Sequence, residues 1–201
     1  MSARPLPREF YDRDVVQVAR DLLGKRLTRV TSEGATSGAI VEVEAYRGQH
    51  DPAAHSYRGQ TARNATMFGP PGHLYVYTIH AKFCMNVVTE PAGVAHAVLI
   101  RGVEPLDGLP LMQQRRGREP LVELTRGPAR LCQAMSVDRT LDGWDLTLGR
   151  EIWIADEQVL PTPDTAIIAS PRIGISSAQD ALLRFFVNRN AFVSGPKRYH
   201  R

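Results

Sequence analysis

Residues 39–46 read AIVEVEAY, and this segment constrains the fold more than any other. A strand turns successive side chains to opposite faces. Ile40, Glu42, Glu44 and Tyr46 are therefore expected on one face, and Val41, Val43 and Ala45 on the other. The valine face is wholly apolar and calls for burial. The opposite face sets two carboxylates beside an aromatic ring. An ordinary amphipathic strand with its acids in solvent fits this pattern. So does an acid pair about 7 Å apart, comparable to the carboxylates that flank a scissile glycosidic bond. The segment alone leaves both readings open.

The surrounding pattern predicts an α+β fold. The chain has 201 residues and 43% apolar content, enough for one well-buried core, so a single domain over 1–201 is expected. Asp14 to Leu23 reads as a helix with a Val15/Val18/Ala19/Leu22/Leu23 stripe, Asp12 or Asp14 as cap, and Gly24 just past its end. Strands are expected over Lys25–Val30 and Ala39–Tyr46, separated by a Ser/Gly-rich turn. Residues 47–64 form a long polar loop. HLYVYTI and FCMNVV then make a hairpin with His80-Ala81-Lys82 at its tip. Further strands are expected at His96–Val103, Glu151–Ala155 and Thr165–Ala169. One helix should open at Gly127-Pro128, and a last one should run over Ala178–Phe186 before a basic tail. The sum is a mainly antiparallel curved sheet surrounded by helices, with a protruding hairpin.

Composition narrows the partners. Net charge is +4 with a pI near 9.3, and Lys25, Lys82 and Lys197 are the only lysines. Arginine's planar fork suits phosphate oxygens, so a polyanionic partner fits; a biased genome would give the same excess. The first nine residues lack the apolar core of a secretory signal. The most apolar stretch, Val94–Ile100, is far too short to span a membrane. Cys84 and Cys132 have neither zinc nor redox spacing and read as buried thiols of a cytoplasmic protein.

Three places can carry chemistry. One is the Glu42/Glu44 face. The second is the loop RGQHDPAAHSYRGQTARN, in which His50 and Asp51 read as solvated polarity, although with His55 they could ligate a metal. The third is the hairpin. Its tip carries His80 and Lys82, and Tyr75 and Tyr77 share a face of its first strand. Such a tip could enter a DNA groove and take the place of an extruded base. Asn86, an amide inside the apolar run FCMNVV, requires a hydrogen-bond partner if buried.

Taken together, VEVEAY, DPAAHS, QTARNATMFGPPGHLYVYTIHAKFCMNVV, VLIRGVEPLDG, GPARLCQA, PRIGIS and RFFVNRNAFVS resemble the alkyladenine (methylpurine) DNA glycosylase family. The motifs occur in that family's order and span nearly the whole chain. The resemblance implies a monofunctional glycosylase. It flips alkylated purines such as 3-methyladenine from duplex DNA and hydrolyses the N-glycosidic bond, using neither metal nor cofactor. Glu44 falls on the carboxylate that deprotonates water. Arg101 falls on the arginine that holds water and carboxylate, and Ile173 on the residue whose backbone carbonyl contacts the water. Tyr46, His55 and Tyr77 match the walls around the flipped base, with the His55 backbone reading its edge. Asn86 matches the asparagine that clashes with the guanine amine, and Leu99 a residue packing near the lesion. His80 stands where well-known members carry the tyrosine that intercalates from the hairpin in the minor groove. Imidazole stacks less and can change charge, which leaves lesion range and flipping efficiency open. A monomer acting on damaged double-stranded DNA is expected, without a membrane and nucleoid-associated if bacterial. The competing readings are a metal-dependent hydrolase using His50 and His55, a non-catalytic damaged-DNA-binding protein, and a carbohydrate-acting enzyme using Glu42 and Glu44.

Overall fold

The computed structural model describes residues 4–195; Lys197 and the basic tail lie outside the described residues. Two short helices come first, α1 (Arg8–Tyr11) and α2 (Val15–Leu22). Asp14 caps α2 as its position predicts, its Oδ1 accepting from the N–H groups of Val16 and Gln17 at 3.0 and 3.1 Å. Val15, Val18, Ala19 and Leu22 are buried along one stripe. At Gly24, φ is +82°, and a Cβ there would lie 2.3 Å from the Leu160 carbonyl, so the helix stops on a glycine.

Strands β1 (Lys25–Thr31) and β2 (Gly34–Tyr46) follow. The Ser/Gly-rich stretch expected to turn is mostly strand: Gly34 to Ala39 pair with Thr31 back to Arg26, leaving residues 32 and 33 as the turn. Next come β3 (Leu74–Ile79), β4 (Lys82–Thr89) and β5 (His96–Asp107), then α3 (Leu109–Arg116) and α4 (Pro128–Ala134), then β6 (Ile152–Gln158), β7 (Ile167–Ser170) and β8 (Arg184–Val187). The strands form one sheet in the order β3-β4-β5-β2-β1-β6, with β8 joining β2 and β7 joining β8. These neighbouring strands pair antiparallel. Helices are few and short beside this sheet.

The thirteen-residue β2 organises the molecule. One edge pairs with β5; the other pairs with β1 over its first half and with β8 over its second. Register against β5 shifts on both sides of Glu42. Such bulges bend a strand and break its alternation. The expected face assignment therefore fails at Ile40, which joins Val41, Val43 and Ala45 in the main core. From Glu42 onward the alternation holds.

Two other expectations need correction. Residues 178–186 are not a helix: 178–183 are irregular, and β8 begins at Arg184. Leu183, Phe185 and Val187 enter the core at period two, and the apolar residues on both sides of Arg184 hide that period from a sequence reading. Helix α3 lay unpredicted because only Met112 is buried along it, leaving no stripe to see. The hairpin tip is also shorter than expected. His80 and Ala81 alone form the turn, with φ of +46° and +59°, and Lys82 already pairs with Ile79.

Strand β3 is a sheet edge, and side chains occupy it. The Val76 N–H donates to Asp142 at 2.9 Å and its carbonyl accepts from Arg139, while the Thr78 carbonyl accepts from Arg63 at 3.0 Å. Strand-to-strand association at this edge is thereby blocked, and the strand bearing Tyr75 and Tyr77 is held rigidly.

Candidate active site

Paired residues on antiparallel strands point to the same side of a sheet. One rung here crosses five strands: Arg184 opposite Glu44, Glu44 opposite Leu99, Leu99 opposite Asn86, and Asn86 opposite Tyr75. Two residues along from this rung stand Tyr46, Arg101, Cys84 and Tyr77, the last two themselves paired. Five strands, drawn from both halves of the chain, thus place their chemistry-bearing residues on one face.

Above that face lies a cleft of about 440 Å³. Tyr46, His55, Tyr77, Asn86, Leu99, Arg101 and Ile173 all line it, so the structure gathers these expected site residues around one space. Its remaining walls include Met67, the start of α4 at Pro128 and Ala129, and Gly174 to Ser176. His80 is exposed at the hairpin tip and outside the lining, while its neighbour Ile79 is part of it.

Glu44 lies beneath the floor, with no exposed surface. Its Oε1 accepts from the Ile173 N–H at 2.8 Å and is ion-paired with Arg101 Nη1 at 3.0 Å. Its Oε2 accepts from the Tyr46 hydroxyl at 2.8 Å. Burial first, and then the charge of Glu44, push the Tyr46 phenol far up. It therefore stays a donor at every working pH. The resemblance implies a water contact through the Ile173 carbonyl; the bond to Glu44 is made by its N–H.

Glu42 is equally enclosed, so neither acid lies in solvent. It accepts from Arg101 Nε at 3.0 Å, Arg184 Nε at 2.6 Å, the Ser194 hydroxyl at 3.0 Å and the Ser194 N–H at 2.6 Å. Burial alone would raise its carboxyl; Arg101, Arg184 and the Ser194 N–H outweigh burial and hold it below the usual carboxylate range. Arg101 is thus fastened between two acids. Burial disfavours its charge, but Glu44 and Glu42 more than compensate and keep it cationic.

The aromatic walls are ordered by mutual contact. Tyr75 and Tyr77 stack at 5.7 Å, and the His55 ring stands edge-on to Tyr77 at 4.4 Å. His55 Nδ1 lies 3.1 Å from the Tyr75 hydroxyl. Burial and then Arg63 hold this imidazole below its ordinary pKa, favouring the neutral ring. The His55 carbonyl accepts from Asn64 at 2.9 Å, which pins the loop. Asn86 finds its partner in the Tyr75 carbonyl, 3.3 Å from Nδ2.

Asp51 overturns its expected reading as solvated loop polarity. It is buried, and both its oxygens accept from Arg172, at 2.5 and 2.8 Å. Arg172 sits in the PRIGIS motif, and nothing local in the sequence announces its partner 121 residues away. His50 is exposed, as expected. With Asp51 committed to Arg172 and His55 to Tyr75, the trio suggested as metal ligands does not converge. Among the described residues, no group of three or more His, Cys, Asp or Glu side chains could hold a metal ion. No helix of these residues is long and apolar enough to cross a membrane.

Comparison with known proteins adds to this geometry. The sequence model of the family described as Methylpurine-DNA glycosylase (MPG) matches residues 9–191. A protein of Carboxydothermus hydrogenoformans is 46% identical over 190 residues, covering 94% of this chain and 98% of its own. One from Burkholderia lata is 50% identical over 196 residues, covering 95% and 91%. A third, from Rhodopirellula baltica, is 45% identical over 205 residues, covering 100% and 87%. All three carry the name "Putative 3-methyladenine DNA glycosylase".

Proposed function

The chain belongs to the methylpurine-DNA glycosylase family, and from that premise we propose how its cleft carries out base excision. The protein is a base-excision-repair glycosylase that hydrolyses the N-glycosidic bond of alkylated purines in DNA. Its substrate is a damaged purine in a duplex, turned out of the stack into the cleft, and its product is an abasic site. It acts as a single domain and a monomer, with no metal or cofactor, in the cytoplasm or on the nucleoid.

Glu44 is the general base. A carboxylate offers about four lone-pair sites; the Ile173 N–H and the Tyr46 hydroxyl take two by hydrogen bonds, and Arg101 holds Oε1 as an ion pair. A remaining site takes a proton from water, and the resulting hydroxide bonds to the anomeric carbon as the purine departs with the glycosidic electron pair. A purine alkylated at N3 or N7 is already cationic and leaves neutral, so no strong acid is needed opposite Glu44. General-base assistance of this kind is worth roughly 10²–10⁴-fold.

Tyr46, Tyr77 and His55 hold the extruded base by stacking, worth about 1–3 kcal/mol per base. That is similar to the few kcal/mol required to unstack a damaged nucleotide. Asn86 excludes unmodified guanine by clashing with its amine, Leu99 packs beside the lesion, and His80 fills the duplex from the minor groove. The observation carrying this reading is the enclosed Glu44–Arg101–Ile173 cluster directly under an aromatic cleft. Release of free 3-methyladenine from methylated duplex DNA, unchanged by a chelator, is the test. No release would leave a damaged-DNA-binding protein, and loss with chelator would restore the metal hydrolase.

A further inference from the structure

The guanidinium of Arg172 is buried behind the Tyr46 ring, with its Cζ 4.6 Å from the ring centroid. Tyr46 lines the cleft and Arg172 does not, so the ring has a cation at its back and the cleft at its front. That cation is neutralised locally. Asp51 takes both terminal nitrogens, at 2.5 and 2.8 Å, and is itself fixed by the N–H groups of Ala53 at 3.0 Å and Arg47 at 3.2 Å. Arg172 also donates to the Ala45 carbonyl at 3.0 Å, between Glu44 and Tyr46.

We propose that the Asp51–Arg172 pair determines how strongly this cleft prefers cationic over neutral purines, by fixing the net charge behind Tyr46. The inference rests on the stacking role given to Tyr46 above. An aromatic face attracts a cation through its ring quadrupole. A bare cation on one face opposes a second on the other. Paired with Asp51, Arg172 leaves the front face free to attract a positively charged alkylpurine. A base stacked about 3.5 Å in front of the ring stands about 8 Å from the guanidinium. At an effective dielectric of about 20, two like charges at that separation disfavour one another on the order of thirtyfold, and screening at the open mouth lowers this to about tenfold. Neither Asp51 nor Arg172 lines the cleft; they are positioning residues acting through Tyr46.

The test compares two bases of one shape: 7-methylguanine, which is cationic, and 7-methyl-7-deazaguanine, its neutral isostere. Both carry the same amine, so any effect of Asn86 cancels. Dissociation constants are measured for duplexes containing each, in a Glu44→Gln background without turnover, with folding monitored by thermal melting. Adding Asp51→Asn should weaken the cationic duplex about tenfold more than the neutral one. Adding Arg172→Gln, which removes the cation instead, should shift the ratio the other way. The Asp51→Asn/Arg172→Gln combination should bring it back near its starting value. Should Asp51→Asn fail to fold, the other two variants still decide. Equal weakening of both duplexes in every folded variant would overturn the proposal and make the pair purely structural. Failure of the unmutated chain to release any alkylpurine is a separate result, and would overturn the glycosylase reading itself.

Discussion

Arg101 reaches from β5 to Glu44 on β2, Nη1 to Oε1 at 3.0 Å, with both side chains buried. The same guanidinium uses its Nε for Glu42 at 3.0 Å. The orientation of the one pair therefore depends on the integrity of the other.

Glu42→Gln should accordingly cost stability and activity together. It leaves Arg101 and Arg184 buried without the charge they share, a change of about 3–5 kcal/mol, read by thermal or denaturant unfolding. The pH dependence has a definite sign. Glu42's folded pKa lies below its ordinary value of 4.5. Its contribution is thus fully present above about pH 4.5 and is lost as pH falls through the folded value. The parent should lose stability progressively below that point, and the variant should show a shallower acid decline. Equal acid slopes would mean that Glu42 does not act through its charge.

Tyr46→Phe removes one donor from Glu44 but keeps the ring. A hydrogen bond to a charged acceptor contributes about 1.5–3 kcal/mol. The excision rate should therefore drop roughly tenfold or more, while affinity for lesion DNA changes little. A loss confined to affinity would assign the hydroxyl to binding and not to Glu44.

His80→Ala should slow excision from well-paired duplexes much more than from single strands or mismatched sites, where extrusion costs less. The tip geometry is compatible with a wedge: His80 is exposed in a two-residue turn with both residues at positive φ. The same loss on both substrates would remove His80 from holding the duplex open.

No covalent protein–DNA adduct should be trapped by borohydride during turnover, and strand breaks should appear only after alkali or heat. A lyase needs a nucleophilic amine at the sugar. Lys25 is paired with Asp156 at 3.1 Å on β1, away from the cleft. Lys82 begins β4 at the hairpin tip and is not in the cleft lining. An adduct mapping to Lys82 would convert the mechanism to a lyase.

The site was legible in the sequence to the extent that it depends on local period. The alternation in AIVEVEAY places Glu42, Glu44 and Tyr46 together, and the period of HLYVYTI places Tyr75 with Tyr77. Three features resisted. The bulge near Glu42 moves Ile40 into the core, and bulges leave no compositional mark. Arg184 was hidden inside an expected helix because the apolar residues around it, Leu182, Leu183, Phe185 and Phe186, show no visible period. Asp51 looked like solvated polarity, since its partner Arg172 is supplied by a contact between two loops that only the folded sheet brings together. The resemblance to the glycosylase family supplied roles that period alone could not, among them those of Ile173 and Asn86.

The central claim is that Glu44 activates the water, and replacing it with glutamine tests this most directly. Glu44→Gln keeps the shape and most of the hydrogen-bonding reach but cannot take a proton at working pH. Single-turnover release of 3-methyladenine should fall by at least the roughly 10²-fold expected of a lost general base, with lesion-duplex affinity within a fewfold of the parent. Near-parental turnover by that variant would contradict the account and move the chemistry to another group.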